Sequence, residues 1–312
     1  MRTLFYGTPA LAVPFLELLA ERGGLAAVVS QPDRPAGRSL RTVPTPVAER
    51  ARQLGLTLLQ PARPSELVAA LKPLRPDLAV AVAYGRILKS ELLAVPRLGT
   101  LNVHFSLLPA YRGAAPVQWS LAHGETRGGV TVFWLDEGMD TGPVCAKREI
   151  EIGPDDDSGL VFEKLRQPAL DALSEALDSA RRGQIVAVPQ EGRPSYAPLI
   201  KREDAELSLE RPAKRLHDLV RAFCLWPKAN LRLRGGRLLV LKTRLEEGGE
   251  PSRAAPGAIL RVDRSGPVLV QCGFGSRLWF LSVQPEGKKA IGAADFINGL
   301  RLGAGDVLPL PR

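Results

Sequence analysis

The 312-residue sequence predicts an α/β domain built on a mostly parallel sheet, followed by a small all-β domain. Three observations carry this. Short apolar runs alternate with helical patterns through the first two hundred residues. One run, Leu78-Ala-Val-Ala-Val-Ala-Tyr84, is apolar throughout, the mark of a strand covered on both faces of a parallel sheet. After Ala229 the helical period gives way to five short alternating segments. A proline-rich polar stretch between the two regions reads as a linker, so the expected boundaries are 1–188, a linker at 189–205, and 206–312.

The elements follow in order. Residues 3–6 form a first strand, Gly7-Thr-Pro9 a tight turn, and 10–21 an apolar helix ended by Gly23-Gly24. The turn lacks the Gly-x-Gly-x-x-Gly fingerprint of dinucleotide sites, and no Walker-type phosphate loop is present. A second strand at 25–30 leads into residues 31–46, which carry four prolines, Arg34, Arg38 and Arg41 and no sustained period. A loop of this length inside an α/β domain is expected to be functional or mobile rather than a plain connection. A helix at 47–53, a strand at 56–59 and a helix at 65–71 precede the apolar run at 78–84. Further strands are expected at 129–135 and 144–152, the latter at an edge. Asp155-Asp-Asp-Ser158 offers an N-cap to a helix over 159–181, a role that outweighs metal binding for acids at a helix start. In the second region, 212–223 is amphipathic, with His217 beside the apolar stripe and structural. Strands at 230–234, 237–244, 258–263, 268–272 and 277–283 suggest a small Greek-key, OB-like barrel.

Bulk properties narrow the class. Hydrophobic residues at 45% and charged ones at 24% are ordinary for a globular protein. Met1 to Tyr6 reads directly into a strand rather than a targeting segment, and no apolar run is long enough to span a bilayer. Cys145, Cys224 and Cys272 are dispersed, which fits a reducing, cytoplasmic setting. The net charge of +9 is unevenly placed: 22 Lys/Arg face 21 Asp/Glu in residues 1–200, but 20 face 12 afterwards. That imbalance fits either an anionic partner for the second region or a solvated basic surface.

The chemistry concentrates in two stretches. In Gly99-Thr-Leu-Asn-Val-His-Phe-Ser106, Leu101, Val103 and Phe105 alternate with Asn102, His104 and Ser106, so the polar trio shares one strand face. The carboxamide and imidazole then lie about 6.5–7 Å apart at Cα, close enough to serve one small reacting group. A helix over 114–123 follows, with Pro116 in its first turn and Gly124 at its end. In Asp136-Glu-Gly-Met-Asp-Thr-Gly142, Asp140 sits on a loop just past a strand end, where open α/β sheets bind ligands. An amide to polarise a carbonyl, a titratable imidazole and a carboxylate suit one site, and the same three residue types also arise by chance.

Asn-x-His-x-Ser-Leu-Leu-Pro, Arg-Gly-Ala-Ala-Pro and Asp-x-Gly-Met-Asp-Thr-Gly resemble the motifs of the folate-dependent formyltransferases. The resemblance implies a Rossmann-like N-terminal formyltransferase domain and an OB-like C-terminal domain. It implies 10-formyltetrahydrofolate as co-substrate, no metal, and Asn102, His104 and Asp140 as the catalytic trio. Asn102 and a protonated His104 would stabilise the oxyanion, while Asp140 accepts the amine proton and raises the His104 pKa. Ser106, Leu107, Leu108, Pro109 and Tyr84 would line the pterin slot. Gln31-Pro-Asp-Arg-Pro-Ala-Gly-Arg38 is similar to the inserted loop of those members that act on methionyl-tRNA, which assigns Arg34, Arg38 and Arg41 to initiator tRNA. Ser195-Tyr-Ala-Pro, Arg221-Ala-Phe, Trp226-Pro227 and Leu281-Ser-Val-Gln-Pro-Glu-Gly-Lys-Lys289 extend the likeness over the whole chain. Ser39-Leu40-Arg41 stands where such members have Gly-Lys-Lys, and Leu207-Ser208-Leu209 where they have Ile-Asp-Trp. A monomer is expected. Two other readings stay open: an amino-sugar formyltransferase, and a non-catalytic RNA-binding protein on the same scaffold.

Overall fold

The computed structural model describes residues 1–36, 41–63, 65–246, 248, 253–263 and 266–311, which form two compact units. The first comprises Met1–Gly113, Gly128–Ile150 and Lys164–Tyr196. Its strands are β1 (Thr3–Gly7), β2 (Leu25–Val29), β3 (Arg34–Ala36), β4 (Arg41–Val43), β5 (Leu58–Leu59), β6 (Leu78–Val82), β7 (Thr100–His104), β8 (Arg112–Gly113), β9 (Arg127–Trp134) and β10 (Val144–Glu151). Helices α1 (Val13–Glu21), α2 (Pro46–Gln53), α3 (Ser65–Leu71) and α4 (Ser90–Leu93) connect them.

The seven-stranded sheet runs β10-β9-β7-β6-β1-β2-β5. β1 pairs in parallel with both β2 and β6, β6 in parallel with β7, and β7 antiparallel with β9. The chain builds outward from β1 first on one side and then on the other, so the order reverses between β1 and β6. Crevices at such points collect ligands at the carboxyl ends of the strands. β6 is buried along its whole length, as its unbroken apolar sequence requires. Leu4, Tyr6, Val29 and Leu71 share one core cluster with its Ala79 and Ala81. Fully burying each large apolar side chain of this kind contributes about 1.5–3 kcal/mol before entropy is subtracted.

Within the loop at 31–46 lies a short hairpin that its aperiodic sequence does not announce. β3 and β4 pair antiparallel, Arg34 opposite Val43 and Ala36 opposite Arg41. Asp33 pins both ends: its carboxylate accepts from Gln60 Nε2 at 2.6 Å, from Arg52 Nη2 at 3.0 Å and from Thr45 N–H at 3.3 Å. Those partners lie outside the loop or at its far end, which local periodicity cannot show. Arg38 lies outside the described residues.

The second unit comprises Ala114–Arg127, Glu151–Glu163 and Ala197–Arg312. Helix α5 (Pro116–Ala122) belongs to it, and helix α6 (Ser158–Arg181) begins in it. Pro116 occupies the first turn of α5, where its missing N–H costs nothing. At the start of α6 the Asp157 carboxylate accepts the Leu160 N–H at 2.9 Å and Asp156 accepts from Gly153 N–H at 2.7 Å, so two of the three acids serve the backbone. After β11 (Tyr196–Ala197) comes α7 (Ala213–Ala222), then β12 (Asn230–Leu233), β13 (Gly236–Leu245), β14 (Ile259–Val262), β15 (Val268–Gln271), β16 (Arg277–Pro285), the short β17 (Ile291–Gly292) and α8 (Ala293–Gly299). The barrel-like antiparallel sheet runs β12-β13-β16-β15-β14, with β17 added to β16. The five expected strands are present, while β17 and α8 lie beyond the sequence reading. Trp279 on β16 has the Arg261 guanidinium 4.5 Å from its ring centroid and that of Arg244 at 5.8 Å, so part of the basic excess packs on an aromatic face. Among the described residues no helix is long and apolar enough to cross a membrane.

Candidate active site

β7 sits between β6 and β9, with Asn102 opposite Ala81 and Phe133, and His104 opposite Thr131. The period of two puts Asn102 and His104 on one face, as the sequence implies. The strand ends at His104, so Ser106 falls in the following loop and its hydroxyl donates to Ala110 O at 2.6 Å. Thr131 Oγ1 donates to Ser106 O at 2.7 Å and accepts from Leu108 N–H at 3.1 Å, and Lys147 Nζ donates to Leu108 O. A polar residue on β9 thereby fixes the loop that leaves the catalytic strand.

His104 is buried, and its two nitrogens meet different partners. Nε2 lies 2.8 Å from Tyr111 O; a carbonyl only accepts, so Nε2 carries the proton. Nδ1 lies 3.5 Å from Asp140 Oδ2. Burial pushes the His104 pKa below its ordinary value, against the opposing pull of the Asp140 charge and the Tyr111 carbonyl. Asp140 therefore acts in the expected direction, but burial outweighs it. With Nε2–H on the Tyr111 carbonyl, a neutral ring turns its Nδ1 lone pair toward the carboxylate.

Asp140 has φ +54, a left-handed conformation that aspartate tolerates better than most residues. Its Oδ2 accepts from Gly113 N–H at 2.8 Å. Asp136 shapes the approach to it, accepting from Thr141 Oγ1 at 2.6 Å and Gly138 N–H at 3.0 Å. Gly142 is required by close approach: a Cβ there would stand 1.8 Å from Trp134 O. Asn102 is half-buried, and its carboxamide has no hydrogen-bond partner among the described residues, which leaves its N–H groups for a ligand.

The five residues assigned to the pterin slot divide. Leu107 is half-buried. Leu108 is fully buried in a cluster with Phe133 and Val144, and Tyr84 packs edge-to-face on Tyr6, ring centroids 5.5 Å apart. Ser106 and Pro109 are buried in the loop. The Tyr84 carbonyl accepts from Thr8 Oγ1 at 2.8 Å and Gln31 Nε2 at 2.9 Å, tying the β1 and β6 exits together. On the β6 exit, Ile87 is 83% exposed, an apolar side chain standing free at the rim that also carries His104. The sequence signal for Ile87 is the continuation past Tyr84, Gly85-Arg-Ile-Leu88, with apolar residues in a loop. Arg34 is exposed and donates to Gln31 Oε1 at 3.2 Å.

Two further contributors carry no side-chain signature in the sequence. Tyr111 acts through its carbonyl, with φ +60 turning it toward His104. Gln190 donates to Asp140 O at 2.8 Å and Gly142 O at 2.9 Å, from a segment read as linker.

Comparison with known proteins agrees over the full length. A family model described as formyl transferase matches residues 3–177, and one described as formyl transferase, C-terminal domain, matches 199–301. The methionyl-tRNA formyltransferase of Sorangium cellulosum is 42% identical over 99% of both chains. That of Thermus thermophilus is 43% identical over 98% of both. HypX from Aquifex aeolicus in complex with tetrahydrofolic acid superposes with a TM-score of 0.67 at 20% identity, covering 97% of this chain and 48% of that one. An N-formyltransferase from Helicobacter canadensis, in complex with folinic acid and dTDP-3-aminofucose, gives a TM-score of 0.67 at 15% identity over 90% of this chain and 98% of its own. These two distant likenesses establish the shared fold, and the identities above 40% across both matched domains place the chain more closely: it belongs to the formyl transferase family, on its methionyl-tRNA formyltransferase branch.

Proposed function

We propose that this chain transfers the formyl group of 10-formyltetrahydrofolate to the α-amino group of initiator methionyl-tRNA, acting as a cytoplasmic monomer. The observation that carries the chemistry is the His104 ring: Nε2–H is held by Tyr111 O and Nδ1 faces Asp140 across 3.5 Å. A neutral imidazole so oriented is a base with its lone pair at one defined atom. Asn102 donates its amide to the formyl oxygen, where negative charge gathers as the amine attacks. His104 Nδ1 takes the proton that the amine sheds, and Asp140 stabilises the imidazolium that forms. The imidazolium returns that proton to the folate nitrogen as its bond to the formyl carbon breaks, so atoms and charge balance. His104 thus works first as base and then as acid, rather than resting protonated.

The residues at the β6 and β7 exits fit a flat, partly apolar co-substrate: Ile87 is exposed after β6 and Leu107 half-open after β7. Arg34, Arg38 and Arg41 supply cations for the acceptor end of the tRNA, and residues 206–312, with their basic excess, bind its body. An amino-sugar acceptor would need neither feature. The test is formyl transfer from 10-formyltetrahydrofolate to charged initiator tRNA, run beside a nucleotide-linked amino sugar. Formyl-methionine on the tRNA is expected; turnover with the sugar alone would replace the acceptor, and no turnover with either would leave an RNA-binding role.

A further inference from the structure

We infer that Gln190 positions Asp140 for the reaction, and that residues 188–195 are a strap holding the loop that carries Asp140 and the loop whose carbonyl orients His104, rather than a passive linker. This rests on the reading of His104 and Asp140 given above. Regular structure alone does not hold the pair: His104 ends β7, but Asp140 lies on the turn after β9, and the carbonyl that orients His104 belongs to Tyr111 in the loop after β7.

The strap is anchored at both ends. Val144 N–H donates to Val188 O at 2.7 Å and Val188 N–H returns to Val144 O at 2.9 Å, fixing it to the edge strand β10. At the far end Ser195 Oγ accepts from Tyr111 N–H at 2.9 Å, and Ser195 O accepts from Arg112 N–H at 2.9 Å. Between them, Gln190 spends its whole amide on the site. Its two Nε2 hydrogens go to Asp140 O and Gly142 O, at 2.8 and 2.9 Å, and its Oε1 accepts from Arg112 Nη2 at 2.7 Å and Nε at 3.2 Å. Two carbonyls can only accept and a guanidinium can only donate, so the amide has one permitted orientation. It therefore holds Asp140 in a left-handed conformation, which a residue other than glycine keeps only where its surroundings enforce it. Freed from Gln190, the turn can relax and swing Oδ2 away from Nδ1.

The charged groups around this cluster are His104 and Asp140 themselves, Arg112 on Gln190, and Lys147 with Glu191 of the strap near it. Because Asp140 pulls the His104 pKa upward, a displaced Asp140 lets it fall. A purely structural glutamine would leave that titration alone.

The experiment uses the full chain with Gln190→Met, which keeps the length and packing without hydrogen bonds, and Gln190→Glu, which keeps an acceptor for Arg112 but sets oxygen against two carbonyls. Unsubstituted chain is assayed first: absence of formyl transfer there overturns the functional reading, whereas transfer followed by unchanged variants overturns only the positioning role. In both variants kcat should fall about tenfold to a hundredfold, with KM for the formyl donor and for tRNA within about twofold. The acid limb of kcat/KM should move to lower pH. On an Asp140→Ala background, Gln190→Met should change kcat by less than about twofold. An unmoved limb, or an equal loss with and without Asp140, would show that Gln190 merely supports the fold.

Discussion

His104 and His217 share most of their local description. Both are almost fully buried, both have an aspartate oxygen 3.5 Å from one ring nitrogen, and burial lowers the pKa of both. Both also hold the same tautomer by the same device, Nε2–H donated to a backbone carbonyl: Tyr111 O for His104, and Pro154 O at 3.0 Å for His217. They differ at Nδ1. In His217 that lone pair accepts from Thr243 Oγ1 at 3.0 Å, so the neutral ring is complete. In His104 it faces a carboxylate oxygen 3.5 Å away, which has no proton of its own to donate when ionised. One ring is satisfied neutral and belongs to the framework; the other gains a partner only when it takes up a proton. Burial, pKa direction and a nearby acid do not separate a structural histidine from a basic one, whereas the hydrogen-bond account of the second nitrogen does.

The sharpest way to break this contrast is to remove each ring. Purified His104→Ala should lose about 10²–10³ in kcat or more, and Asn102→Ala about as much, with melting temperatures close to the parent. Near-normal turnover in either folded variant would end the mechanism. Asp140→Asn keeps the shape but not the charge, so imidazolium formation loses its stabiliser. It should cost less than the full deletion, and the acid limb of kcat/KM should slide to lower pH because the upward pull on His104 is gone. A limb that moves up, or stays, would separate the two groups.

His217→Gln should do the opposite, leaving kcat per folded molecule intact while stability drops by about 1–3 kcal/mol through the broken Thr243 and Pro154 bonds. Its pH signature has a defined sign. A histidine whose folded pKa lies below the unfolded value of about 6.5 gives its full stability above that pH and loses it as pH falls toward the folded pKa, because the unfolded chain binds the proton first. The parent's melting temperature should therefore decline below that pH, and more shallowly in His217→Gln. Parallel profiles would remove His217 as a contributor. The smallest effect is expected at the tRNA loop: Arg34→Ala should leave the formyl donor's KM alone and reduce the slope of log K for tRNA against log salt by about 1. An unaltered salt slope would return Arg34 to the surface.

Local pattern alone reached far along this chain. The apolar run at 78–84 identifies a buried parallel strand because a strand covered on both faces has no polar side to show. The alternation at 101–106 puts Asn102 and His104 on one face because a strand's period admits nothing else. Pro116, Gly124 and the acids before α6 mark helix ends through backbone chemistry that is strictly local. These are properties of neighbours in sequence, and a linear reading contains them.

Tertiary structure decided what depends on partners far apart in the chain. Asp33 turns an apparently formless stretch into a hairpin flank through Arg52 and Gln60. Leu108 and Tyr84, candidates for an open slot, are packed into cores, while Ile87 stands exposed at the rim. Tyr111 contributes a carbonyl, which every residue type possesses and no motif can flag. Gln190 reaches Asp140 from fifty positions away in the chain. Which polar group completes His217 and which leaves His104 wanting a proton was settled by strands and loops meeting in space, because a hydrogen bond reads distance and direction rather than sequence order.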